Sequence, residues 1–205
     1  MAKLSMDKDP EVYQKRISEK GPGKRRILGL DLGTSCGVAY ADFSPGQSVS
    51  ELLVYMDQWG LDLGIYDSSA LRHIRLRQFL TILQPDLIGF EDVKYDAPVK
   101  TFAGLPVGAI VARVVPTAEF LGGLKVTLSV WAEERGVPLH GYAITQIKKR
   151  ATGKGNASKE DMIKAANEKF GAVLLVEDYE KTGADNIADA SHILSMTLED
   201  YSHGL

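Results

Sequence analysis

Four acidic side chains sit where carboxylates can do chemistry. The stretch Ile27-Leu-Gly-Leu-Asp-Leu-Gly-Thr-Ser-Cys-Gly-Val-Ala39 puts Asp31 near the end of an apolar run, directly before a glycine turn. An unpaired carboxylate is costly to bury, so Asp31 needs a metal, a donor or a cation, unless it only caps the turn through backbone N–H groups. A second apolar run, Leu87-Ile-Gly-Phe90, ends in Glu91 in the same manner, while Asp92 should point to the opposite face. In Gly183-Ala-Asp-Asn-Ile-Ala-Asp-Ala-Ser191, Asp185 and Asp189 are four apart and share one face of a helix. The helix dipole can favour Asp185 but hardly Asp189, so a cation is the better explanation of the pair. Oxygen ligands without His or Cys favour Mg²⁺ or Mn²⁺ over zinc. Two such ions about 4 Å apart would clamp the attacking water and the leaving oxygen of an in-line phosphodiester displacement.

Positioning these acids requires a sheet. Ile27–Leu32, Val38–Phe43 and Glu51–Trp59 read as three short strands in an antiparallel meander. Tyr66–Leu83 has Ala70, Ile74, Phe79, Leu80 and Leu83 at helical spacing, with Arg72, Arg75 and Arg77 outside it. Leu87–Phe90 is a fourth strand and Leu139–Ile144 a fifth. Thr101–Arg135 suits a helix that Pro116 and Gly122-Gly123 kink or divide. Ser158 can cap a helix running to Phe170, and Asp185–Tyr201 forms the last one. The order β-β-β-α-β-α-β-α-α describes an α/β domain with a five-stranded mixed sheet covered by helices.

The 205 residues suffice for one full-sized domain, and 44% hydrophobic with 25% charged content excludes wholesale disorder. A single cysteine, Cys36, rules out a disulfide framework and reads as a packed residue. No apolar run approaches the roughly 20 residues that span a bilayer, and no signal core or transit pattern is present, so a soluble cytoplasmic protein is expected. The net charge of −3 is uneven: residues 1–26 carry eight basic groups against four acidic ones, leaving an acidic remainder. Residues 1–25 are expected to form a flexible basic arm, and 26–205 the folded domain. An acidic body binds nucleic acid only through concentrated positive charge or a metal. Such a concentration exists in Lys148-Lys-Arg-Ala-Thr-Gly-Lys-Gly-Asn-Ala-Ser-Lys159, read as a loop joining a strand to a helix. Its Lys148, Lys149, Arg150, Lys154 and Lys159 are candidate phosphate contacts, aided by the helix N-terminus. The scattered histidines read as structural, with His192 the one near enough to the acids to assist proton transfer. Tyr13 and Trp59 read as packing residues.

Taken together, these segments resemble the RuvC-type Holliday-junction resolvases of the RNase H-like superfamily, over about Arg26 to Tyr201. The resemblance rests on the Asp31 strand and glycine turn, the Glu91 strand end, the Thr152-Gly-Lys-Gly-Asn-Ala-Ser-Lys159 segment and the Asp-Asn-Ile-Ala-Asp-Ala helix. It implies metal-dependent cleavage of four-way DNA junctions by paired nicks, with two Mg²⁺ (or Mn²⁺) ions at Asp31, Glu91, Asp185 and Asp189. It also implies DNA-backbone contacts by the basic segment, with Lys159 near the scissile phosphate, and base stacking by Tyr95, which follows Glu91 by four. The last two acids are three apart in familiar bacterial members, so Asn186 is the alternative ligand to Asp185.

A rival reading is a related nuclease that prefers flaps or forks; another is an actin-like or sugar-kinase-like ATPase, disfavoured by the short chain and the lack of a second phosphate loop. Two symmetric nicks require a homodimer, and the expected interface is Thr101–Arg135. Its Leu105, Val107, Ile110, Val111, Val114, Val115, Phe120, Leu121, Leu124, Leu128 and Trp131 are more apolar than one covered face needs. The bland alternative buries this helix within one monomer. A bacterial or phage-infected cell fits as host, and no helicase partner is legible.

Overall fold

A computed structural model describes residues 8–44, 46–48, 51–92, 107–174 and 176–202, the side chains of 107–117 excepted. Three strands, β1 (Arg25–Asp31), β2 (Ser35–Phe43) and β3 (Tyr55–Gly60), form the expected antiparallel meander. Beside it, β4 (Leu87–Glu91) pairs parallel with β1, and β5 (Leu139–Tyr142) parallel with β4. The order β3-β2-β1-β4-β5 makes the five-stranded mixed sheet that was expected.

Side-chain alternation divides the strands between two cores. Leu28, Leu30, Val38, Tyr40, Ile88 and Phe90 pack beneath α2 (Ala70–Leu83) and α3 (Val107–Glu133). Ile27, Ala39, Ala41 and Phe43 face the other way, onto Ala190, Leu194 and Leu198 of α7 (Ala184–Ser202). Outside α7 lie α4 (Ile144–Thr152) and α5 (Lys159–Phe170), followed by the single-turn α6 (Tyr179–Thr182). As expected, Ser158 caps α5: its Oγ accepts from the Asp161 N–H while Asp161 accepts from the Ser158 N–H.

Several expectations need correction. The α3 helix is neither broken nor divided at Pro116 or Gly122-Gly123; it runs for 27 residues. Leu124, Leu128 and Trp131 are fully buried within the monomer, so they belong to its core and not to an interface. In α2 the buried stripe is Leu76, Phe79, Leu80 and Leu83, and Ile74 stands 50% exposed. Between β5 and α5, where a loop was expected, residues 144–152 form α4; its Ile147 is buried, Gly153 closes it at φ +78°, and Gln146 accepts from the Ala143 N–H.

The expected arm is the largest difference. Residues 8–24 pack against the domain, and Pro10–Gln14 form a short helix α1 whose Asp9 accepts from the Glu11 N–H. Tyr13, 1% exposed, sets its ring edge-on to Trp59 and Phe79. Lys8, Arg16 and Lys20 bridge Asp62, Asp57 and Asp86. Arg26 is buried, held by Asp42 at 2.6 Å and by the carbonyls of Ser18 and Leu83. The region's excess positive charge is matched to acids on the body.

Candidate active site

Strand parity sets the site. Gly29 and Asp31 on β1, like Gly89 and Glu91 on β4, are two apart and therefore face the same side, toward α7. The register pairs Leu30 with Phe90, which puts Asp31 and Glu91 side by side at one end of the sheet. Asp92, of opposite parity, bonds Lys125 of α3 on the far face, as expected.

Three glycines let α7 approach. A Cβ on Gly29 would lie 2.3 Å from the Ala190 carbonyl oxygen, and one on Gly37 would lie 2.0 Å from that of Asn186. A Cβ on Gly89 would meet the Thr197 hydroxyl at 1.9 Å. These residues lie in neighbouring strands β2, β1 and β4, so α7 lies across a glycine track. Its first two turns then bring Asp185 and Asp189 over the end of the sheet where Asp31 and Glu91 emerge. The sequence reading missed this track, although glycines inside apolar strands were its available signal.

Electrostatics tie the four acids together. Burial pushes the Asp31 carboxyl well above the ordinary range, and Asp189, Glu91 and Asp185 raise it further. Asp189 is pushed up to about 7, first by burial and then by Glu91 and Asp185. Glu91 is raised by burial, opposed by Lys148. Asp189 Oδ1 is buried without a hydrogen-bond partner. An orphaned carboxylate oxygen among three further acids is what a hard divalent cation satisfies, so the residues fit Mg²⁺ or Mn²⁺. They are not closed into a ligand cage: among the described residues, no three His, Cys, Asp or Glu side chains stand in metal-holding geometry. Asp185 instead accepts from Lys159 at 2.5 Å, and Asn186 is partly exposed beside it.

The basic residues divide into groups. Lys148 and Lys159 reach the acids: Lys148 opposes the rise of Glu91 and Asp189 while donating to the Ala157 carbonyl at 2.7 Å, which ties α4 to the glycine loop. Lys149 on α4 and Lys154 in the loop are exposed. Arg150, expected among the phosphate contacts, pairs with Glu199 at 2.5 Å and lies 3.7 Å from Asp200. His192 is buried against the Met162 carbonyl, and burial lowers its pKa, which makes it structural. Cys36 is buried, as expected of a packed residue. Tyr95, with 93–106, lies outside the described residues.

The chain is 28% identical over 138 residues to the crossover junction endodeoxyribonuclease RuvC of Corynebacterium efficiens, a match covering 67% of this chain and 55% of that one. It is 27% identical over 135 residues to the same enzyme of Parafrankia sp., covering 65% and 67%. The chain resembles the RuvC-type resolvases. The match spans about half the length of the corynebacterial RuvC. No family model matches the chain. Among solved structures, Thermus thermophilus RuvC superposes with a TM-score of 0.58 at 18% identity, over 87% of this chain and 96% of that one. The same RuvC in complex with Holliday junction substrate gives a TM-score of 0.55, also at 18% identity. At that identity the superposition establishes the RuvC fold. No helix among the described residues is long and apolar enough to cross a membrane.

Proposed function

We propose that this chain is a metal-dependent, structure-selective endodeoxyribonuclease that resolves four-way DNA junctions by paired symmetric nicks. The observation that carries the reading is the convergence of Asp31, Glu91, Asp185 and Asp189 on one end of the sheet, with Asp189 Oδ1 buried and unpartnered. Residues 26–205 form the nuclease domain in this reading, with residues 8–25 packed onto it, acting as a homodimer in the cytoplasm of a bacterial or phage-infected cell. Mg²⁺ or Mn²⁺ held by the four acids would activate the attacking water and stabilise the leaving oxygen.

The chain's own groups do the rest. Lys149 and Lys154 present exposed ammonium groups to the DNA backbone, and the N-terminus of α5 adds backbone N–H groups. Lys159 stands beside the acids and supplies positive charge where the phosphate must enter a negative site. Lys148 fixes the glycine loop and moderates the charge of Glu91 and Asp189. Arg150 contributes by bracing α4 against Glu199 on α7.

The test is titration of Mg²⁺ and Mn²⁺ against a labelled four-way junction and a flap of the same arms. Symmetric nicking of the junction is expected, with Asp31→Asn and Glu91→Gln binding it normally but cutting at least a hundredfold more slowly. Cleavage within tenfold of wild type in either variant overturns the assignment of the acids. Faster cutting of the flap overturns the assignment of substrate.

A further inference from the structure

The loop between β3 and α2 carries two adjacent apolar side chains that nothing among the described residues covers. Ile65 is 95% exposed and Tyr66 99%. Scattered surface hydrophobics need no explanation. These two, however, form the tip of a pinned turn. The Gly64 carbonyl accepts from the Asp67 N–H at 3.1 Å, and Asp67 Oδ2 accepts from the Gly64 N–H at 2.8 Å. At its base, Arg75 donates to the Asp62 carbonyl at 2.7 Å and lies 3.9 Å from Asp67, while Lys8 bridges the Asp62 carboxylate. The turn is thus a preorganised finger holding out an isoleucine and a phenol ring.

Topology places its base at one end of the sheet. The Leu61 N–H, directly after β3, donates to the carbonyl of Thr34 at 2.7 Å, in the turn that follows Asp31. Gly60 pairs with Ser35, and Asp31 with Gly37, so the finger leaves the sheet at the end that carries the acids. Two interstrand spacings, about 10 Å, separate β3 from β1, or roughly three nucleotide steps along a strand. The loop's two acids are bridged by Lys8 and Arg75, so it offers a phosphate backbone little net repulsion.

We propose that Tyr66 stacks on an unpaired base beside the branch point, with Ile65 as an apolar wedge against the neighbouring step. This deepens the junction-cleavage reading and rests on it. A free aromatic face suits any base, and an inserted apolar side chain holds opened steps apart. The finger and Tyr95 lie in different stretches of the sequence.

Junction and unbranched duplex of equal length are bound in EDTA by wild type, Tyr66→Ala, Tyr66→Phe and Ile65→Ser/Tyr66→Ala, with 2-aminopurine placed at and beside the branch. Tyr66→Ala is expected to weaken junction binding about tenfold, leave duplex binding unchanged and abolish the fluorescence change. Tyr66→Phe keeps both signals, and melting temperatures stay level because the ring is exposed. Junction binding by Tyr66→Ala within twofold of wild type overturns the proposal. So does equal loss on junction and duplex, or a lowered sedimentation mass, which assigns the finger to a second copy. Wild type without preference for the junction overturns the functional reading itself; a preference undiminished in Tyr66→Ala overturns the finger alone.

Discussion

The carboxyl of Asp189 illustrates what a single residue discloses and withholds. A cation was expected there because two acids four apart, flanked by Ile187, Ala188, Ala190 and Ile193, make little structural sense without one. Its partners were not, since the pairing of Lys159 with Asp185 joins α5 to α7 and has no local signature. The raised pKa has a thermodynamic consequence with a definite sign. Asp189 ordinarily titrates near 3.8 but is pushed up to about 7 in the fold. The folded state therefore holds the proton more tightly, and the stability this gives is lost as pH rises through that window. Metal-free Asp189→Asn should accordingly gain on wild type as pH rises. Discounted for solvent screening, the gain between pH 5 and pH 8 is about 1–2 kcal/mol, or roughly 2–8 °C in Tm. Thermal melts of both proteins in EDTA at the two pH values check this; a gap that does not widen overturns it. Added Mg²⁺ or Mn²⁺ should stabilise wild type more than the variant at pH 8, by mass action on the folded state.

Among the elements, strands and their parity were the most legible, because Asp31, Glu91 and Asp92 need only an alternation of two to be sorted between faces. What escaped was depth. The sequence shows Gly29, Gly37 and Gly89, but not that all three lie under one helix. Likewise α4 was read as loop because its Lys148-Lys-Arg150 run masked the Ile144 and Ile147 face. The glycine track makes its own prediction. Gly37→Ala would press a methyl into the Asn186 backbone, between the two acids of α7, and should cost about 1–3 kcal/mol as overpacking does. Because the strain falls at the site, metal affinity should drop along with Tm. Gly122 is the control: it lies within α3 with nothing within 4 Å of an added Cβ. Gly122→Ala should raise stability by about 0.5–1 kcal/mol and leave metal binding alone. Chemical denaturation and Mn²⁺ calorimetry read both; equal tolerance of the two substitutions would show that α7 does not depend on the track.

For the molecule as a whole, the misleading signal was charge. The basic excess of residues 1–26 suggested a flexible basic arm, yet Lys8, Arg16, Lys20 and Arg26 are matched to Asp62, Asp57, Asp86 and Asp42. Net charge along a chain cannot distinguish a surface seeking a ligand from one complementary to the chain's own body. The apolar content of α3 posed the same ambiguity, and the structure divides it. Leu124, Leu128 and Trp131 serve the monomer, whereas Val126 and Val130, one turn apart on the same helix, remain 63% and 45% exposed. Ile74, half exposed on α2, stands on the helix packed beside them. One acidic site makes one nick, so symmetric resolution needs two sites related by a twofold axis, and a self-complementary patch supplies them. A stable interface buries about 1,200 Å² or more, so these valines would form its centre and not its full extent. Sedimentation equilibrium at micromolar concentration should therefore give a mass near twice 22.4 kDa. Val126→Asp/Val130→Asp, which leaves the buried face of α3 untouched, should sediment as a monomer and convert paired nicks into single uncoordinated ones. A wild-type mass of one chain with and without junction, or a double variant that remains dimeric and nicks in pairs, would place the twofold contact elsewhere or abolish it.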